Sequence, residues 1–164
     1  MTKTEKNLWE AFAGESQANR KYLAFADKAD KEGFKQAARL FRAAAHAETI
    51  HAHAHLRALK GIGDTATNLK EAIGGETHEF QEMYPDMIAA AKEEGHKSAE
   101  RSFSYANEVE KIHAALYQKA LDSLANQEET DMHVCSVCGY TCEGEAPDKC
   151  PVCGASQKAF DKID

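Results

Sequence analysis

Apolar residues recur every three or four positions through roughly the first 125 residues, a spacing that predicts long amphipathic helices. The first helix is expected from about Thr4 to Lys31, with Thr4 as its cap and Gly33 as its stop. Its inward stripe is Leu8, Phe12, Glu15, Asn19, Tyr22 and Ala26. The second runs from about Phe34 to Lys60, with Ala37, Phe41, Ala44, Glu48, His51, His55 and Leu59 on one face. Residues 61–70 lose the periodicity and read as a longer connection. The third helix is expected from Asn68 or Leu69 to Glu94, with Ala72, Glu76, Glu79, Met83, Met87 and Ala90 in its stripe. Pro85 inside this span removes a backbone hydrogen bond and predicts a kink. The fourth runs from about His96 to Asn126, with Phe103, Ala106, Glu110, His113, Tyr117, Ala120 and Leu124 facing inward.

Carboxylates occupy positions in these stripes where core residues belong. Two segments, Glu48-Thr49-Ile50-His51 and Glu110-Lys111-Ile112-His113, each put a carboxylate and an imidazole three residues apart, on one helical face. A lone glutamate precedes each copy at nearly the same distance, Glu15 before Glu48 and Glu76 before Glu110. The first part of the chain is therefore one unit used twice. Four helices, two single carboxylates and two Glu-x-x-His pairs form the pattern of a dinuclear carboxylate site inside a four-helix bundle. No Lys or Arg stands in the four stripes, and a charge left unpaired in an interior costs several kcal/mol, so cations are needed there. Carboxylate with imidazole suits iron or manganese, and zinc also fits these ligands. Glu79, one turn after Glu76, gives the third helix a second carboxylate and is a candidate exchangeable ligand. Tyr22 and Tyr84 are candidates to hydrogen-bond a ligating carboxylate, with core packing as the alternative role. His55 lies one turn past His51 and is expected to line the core, not to bind metal.

After the acidic segment at residues 126–131 the composition changes to Cys, Gly and Pro. Cys135-Ser136-Val137-Cys138-Gly139 and Cys150-Pro151-Val152-Cys153-Gly154 form two Cys-x-x-Cys-Gly knuckles. Four thiolates at this spacing hold one tetrahedral metal, and the spacing alone leaves iron and zinc open. Cys142 falls outside both knuckles and is expected to be a free thiol. Some 33 residues bury too little apolar surface to fold without help, so the metal is expected to supply much of the module's stability. The expected organisation is mainly α: residues 1–126 a four-helix bundle, 127–131 a linker and 132–164 a small metal-stapled module.

Composition narrows the setting. The chain has 164 residues, 43% of them hydrophobic, and a net charge of −7, which argues against a nucleic-acid partner. No apolar run is long enough to span a membrane. The N-terminal residues lead straight into a helix without a signal-peptide core, and paired cysteines in that setting point to metal, not disulfides. A reducing cytoplasm is the expected compartment.

A bundle with two Glu-x-x-His pairs followed by these knuckles resembles the rubrerythrin family. Ala11-Phe12-Ala13-Gly14-Glu15-Ser16-Gln17-Ala18 is similar to that family's first-ligand segment, and residues 75–85 to its third-helix segment, the additional Glu79 included. The resemblance implies a ferritin-like bundle with a rubredoxin-like domain. It implies di-iron ligands Glu15, Glu48, His51, Glu76, Glu79, Glu110 and His113. It implies a tetrathiolate iron on Cys135, Cys138, Cys150 and Cys153, with Zn or Mn able to substitute. The implied activity is reduction of hydrogen peroxide to water, with electrons relayed one at a time from the tetrathiolate iron and drawn from an NAD(P)H-linked reductase or a rubredoxin. A homodimer or higher homo-oligomer is implied, with the cysteine domain of one subunit reaching the di-iron site of another. The fourth helix is about 45 Å long at 1.5 Å per residue, so a module tethered at its end is expected to sit far from its own chain's ligands. The alternatives are a ferritin-like ferroxidase and a zinc-ribbon binding module on a helical scaffold.

Overall fold

The computed structural model describes residues 1–126 and 128–163; Gln127, the first residue of the expected linker, and Asp164 lie outside the described residues. The chain divides into two compact units, Met1–Gly63 and Asp64–Asp164.

The first unit is a helical hairpin of α1 (Lys3–Lys31) and α2 (Lys35–Ala58). The cap of α1 lies two residues earlier than expected. Thr2, not Thr4, takes the cap position, accepting from the Glu5 N–H at 3.2 Å while the Glu5 carboxylate accepts from the Thr2 N–H at 2.6 Å. Gly33 turns the chain between the helices at φ +85, a value that favours glycine. The helices meet through alanines: Ala26 and Ala29 on α1, and Ala38, Ala45 and Ala52 on α2, are all buried. Small side chains at seven-residue intervals let the two backbones approach closely. Ala38 replaces the expected Ala37 in this seam, and Ala37 is exposed. Asn19 crosses the seam, its amide donating to the Ala45 carbonyl at 2.7 Å and to Thr49 Oγ1 at 2.8 Å.

In the second unit, α3 (Thr65–His78) leads through a π-helical turn (Glu79–Met83) into α4 (Tyr84–Glu93), and both helices pack on α5 (Lys97–Asp122). α3 starts at Thr65 because Asp64 caps it, accepting from the Thr67 N–H at 2.8 Å. The connection from α2 is thus shorter than residues 61–70. The π turn inserts an extra residue ahead of Pro85, where the proline ring would clash with an ordinary helical carbonyl. Its consequence is a shift of register. Beyond the turn Ile88 and Ala91 face inward, while Met87 and Ala90, the expected stripe positions, are exposed.

α5 ends at Asp122, and a short 3-10 turn at Leu124–Asn126 follows it. The cysteine-rich part forms a three-stranded antiparallel sheet of β1 (Met132–Cys135), β2 (Thr141–Glu143) and β3 (Phe160–Ile163), with β1 in the middle. No helix among the described residues is long and apolar enough to cross a membrane.

Candidate metal centres

Each helical unit gathers one carboxylate–imidazole triad. In the first, ligand atoms of Glu15, Glu48 and His51 lie within 4.8 Å of one another. Glu48 Oε2 stands 2.8 Å from His51 Nδ1, the contact that Glu-x-x-His spacing dictates on a helix. The Glu48 side chain is 19% exposed and that of His51 55% exposed, so this triad lies on an open face of its hairpin.

The second triad is Glu76, Glu110 and His113, again within 4.8 Å. Glu110 Oε2 is 2.8 Å from His113 Nδ1, and Glu76 Oε1 is 3.7 Å away. Two ligands bonded to one metal at about 2.1 Å and a right angle lie about 3.0 Å apart, close to both 2.8 Å Glu–His contacts, which therefore suit a shared ion. The electrostatics point the same way. Burial first, then a hydrogen bond with Glu110 and the charges of Glu110 and Glu79, push Glu76 up to about 7. Glu79 is likewise raised, by burial and by Glu110, with His78 and His113 pulling the other way. Crowded carboxylates whose pKa values are pushed up by burial and by one another are groups that a cation would relieve.

Glu79 opens the π turn and stands outside the three-residue cluster. Tyr84 packs its ring against Phe103 at 6.3 Å between centroids. Burial and the charges of Glu79, Glu110 and Glu76 raise its hydroxyl's pKa, which keeps it a proton donor beside those carboxylates. Tyr22 instead joins an aromatic cluster with Phe25 and Phe41, with centroids 6.3 and 6.2 Å away. His55 is half-buried on α2 and belongs to neither triad.

Cys135, Cys138, Cys150 and Cys153 converge within 4.8 Å. The Cys135–Cys153 and Cys138–Cys150 sulfurs are 3.7 and 3.5 Å apart. Tetrahedral coordination at 2.3 Å sets sulfurs about 3.8 Å apart, so the four thiols are arranged for one ion. The knuckles are built alike. The Gly139 N–H donates to the Cys135 carbonyl at 2.8 Å and the Gly154 N–H to the Cys150 carbonyl at 2.9 Å, with both glycines at positive φ. Burial would raise the Cys150 thiol, but the N–H groups of Cys153 and Val152, with Cys138 and Cys153, bring it down to about 7. Cys142 is half-buried on β2 and stands outside the four-sulfur cluster.

The sequence reading set the cysteine module far from its own chain's ligands, and the second unit is built otherwise. After α5 the chain turns back, and β2 packs along that helix. His113 Nε2 is 2.9 Å from Thr141 Oγ1. A Cβ built on Gly139 would lie 3.8 Å from Val109 Cγ1, and Val109 is only 2% exposed. Lys119 pairs with Glu143. Helical periodicity gives no signal for such contacts, and Thr141 was missed because a lone threonine beside a knuckle carries none.

The proton on Glu76 makes metal binding pH-dependent. Below about 7 it must leave before a cation binds, so Mn(II) affinity of the metal-free protein is expected to fall about tenfold per pH unit there and to level off above it. Without metal the dependence of stability has the opposite sense. Folded Glu76 keeps its proton up to about 7, against 4.5 ordinarily, so the folded state binds more protons between those values and stability falls as pH rises through them. Calorimetric titrations in buffers of different ionisation enthalpy, with melting curves of the metal-free protein, check both.

A family model described as "Rubrerythrin" matches residues 6–121, and one described as "Rubrerythrin, rubredoxin-like domain" matches residues 133–161. The chain is similar to Rubrerythrin-2 of Clostridium acetobutylicum, at 37% identity over 93% of this chain and 92% of that protein. It is also similar to the rubrerythrin of Nitratidesulfovibrio vulgaris, at 35% identity over 99% of this chain and 95% of that one. A solved structure of nigerythrin in a partially reduced state aligns with a TM-score of 0.61 at 33% identity, covering 99% of this chain and 88% of that one.

Proposed function

The chain belongs to the rubrerythrin family, and from that membership we propose that it is an oxidoreductase that reduces hydrogen peroxide to water. One observation carries the reading. The same carboxylate–Glu–His triad, with its 2.8 Å contact, occurs in both helical hairpins of a chain that also gathers four thiols. Residues 1–126 supply the bundle, 127–131 the link and 132–164 the rubredoxin-like module. Glu15, Glu48, His51, Glu76, Glu79, Glu110 and His113 hold two irons, and Cys135, Cys138, Cys150 and Cys153 hold one; zinc and manganese fit the same donors.

Bound iron supplies the redox chemistry, with hydrogen peroxide taking up two electrons and two protons and leaving as two waters. The protein's own groups do the rest. His51 and His113 set the ligand face of each hairpin. Glu79, at the start of the π turn and outside the triad, would serve as an exchangeable carboxylate ligand. Tyr84 keeps its hydroxyl proton beside the carboxylates and can donate it to a departing oxygen. The four thiolates would hold an iron whose one-electron couple could pass electrons on singly. The electrons originate from a reductase drawing on NAD(P)H or from a rubredoxin, in a reducing cytoplasm, and the protein works as a homodimer or larger homo-oligomer.

The test is to reduce the iron-loaded protein without oxygen, add hydrogen peroxide and follow the visible iron–thiolate absorption. Recovery within seconds is the expected result. Recovery faster with oxygen than with peroxide would replace this reading with a ferroxidase, and a protein that holds only zinc would replace it with a structural module.

A further inference from the structure

The contact between the cysteine module and α5 has a chemical direction. Thr141 Oγ1 donates its single proton to the Gly139 carbonyl at 3.0 Å. With that proton so placed, the 2.9 Å contact with His113 Nε2 is completed by the imidazole N–H donating to the hydroxyl oxygen. That assignment fixes the tautomer. The hydrogen is on Nε2, so a neutral His113 turns the Nδ1 lone pair toward Glu110, 2.8 Å away. A lone pair and a carboxylate oxygen facing each other at that distance are two acceptors, and a metal ion between them satisfies both.

We propose that Thr141 is a positioning residue through which the cysteine module holds His113 of its own chain ready for metal. This inference rests on the di-metal reading of the triads above. The contact is braced on both sides along α5. Val109, next to Glu110 in sequence, packs against Gly139, and Lys119 pairs with Glu143 farther along. Gly139 follows the ligand Cys138 directly. Two hydrogen bonds, Gly139 C=O to Thr141 and Thr141 to His113, therefore join the backbone of one metal site to a side-chain ligand of the other. Outer hydrogen-bond partners of ligating histidines orient the ring, and their loss typically weakens metal affinity about 10–100-fold.

Thr141→Val tests this, because valine keeps the branched shape that suits β2 and removes only the hydroxyl. The full-length protein is loaded with iron at the cysteine site, whose visible absorption reports that the module is folded. Mn(II) is then titrated into the carboxylate site, and the ring nitrogens of His113 are followed by 15N NMR. Thr141→Val is expected to keep the absorption, lose the single Nε2–H tautomer and bind Mn(II) about 10–100-fold more weakly, whereas Thr141→Ser restores both. Unchanged Mn(II) affinity with an unchanged His113 spectrum in Thr141→Val would overturn the inference, as would failure of the serine variant to rescue. The readout does not depend on turnover. If wild type binds Mn(II) but its iron form ignores peroxide, the peroxidase reading fails while the role of Thr141 is still decided.

Discussion

Glu110→Ala is expected to abolish metal binding at the second triad and to lower peroxide turnover by more than 100-fold. Glu110 is the point on which that triad converges. Its Oε2 lies 2.8 Å from His113 Nδ1, it hydrogen-bonds Glu76, and its charge raises both Glu76 and Glu79. Loss of a direct ligand should exceed the roughly 10–100-fold cost of losing an outer partner. The metal-free variant should behave differently. Alanine removes one of three mutually repelling carboxylates, so the Glu76 pKa should move down toward its ordinary 4.5. Its melting temperature above pH 7 should match or exceed that of metal-free wild type. Metal analysis, stopped-flow reduction of peroxide and melting curves distinguish the two effects. A variant that lost activity together with metal-free stability would mark Glu110 as a packing residue. The visible absorption of the cysteine site should persist, because no thiol changes.

The candidate ligands were legible in the sequence because metal chemistry and helix geometry constrain it together. Glu48 with His51, and Glu110 with His113, could be paired from spacing alone, and the structure holds both pairs at the same 2.8 Å. The four cysteines were equally plain, since two knuckles leave one way to enclose an ion. Helical faces were less so. A strict 3.6-residue period carries Met87 and Ala90 inward, but the π turn ahead of Pro85 adds a residue and turns Ile88 and Ala91 in instead. The seam of α2 falls on Ala38, Ala45 and Ala52, because the closest helix contact selects the smallest residues and not the most apolar ones. Tyr22 shares the stripe of Glu15, yet its ring is taken up by Phe25 and Phe41. The contact between Thr141 and His113 joins residues 28 positions apart in different kinds of structure, and no local pattern encodes it.

Removing the metal from the cysteine site, or replacing Cys150 with alanine, is expected to unfold residues 132–163 while leaving α1 to α5 in place. The module has little else to hold it. Cys135 and Cys150 are its buried side chains among the described residues, and the Tyr140–Phe160 pair is its aromatic contact. Three strands of three or four residues cannot sustain a sheet by pairing alone. Structural metal in comparably small modules contributes about 10–16 kcal/mol of apparent binding free energy at neutral pH, more than the whole stability of many domains. Helical circular dichroism should therefore hardly change, while the amide signals of residues 132–163 collapse to unfolded positions. Alkylation followed by mass spectrometry gives the sharper reading. With metal bound, Cys142 alone should react, because the other four sulfurs are ligands; without it, all five cysteines should. Protection of four thiols in the metal-free protein would show that packing, not coordination, closes the module. Unfolding also withdraws Thr141 from His113 and Gly139 from Val109. Loss of one metal should then reach α5, loosening the histidine that the other site needs.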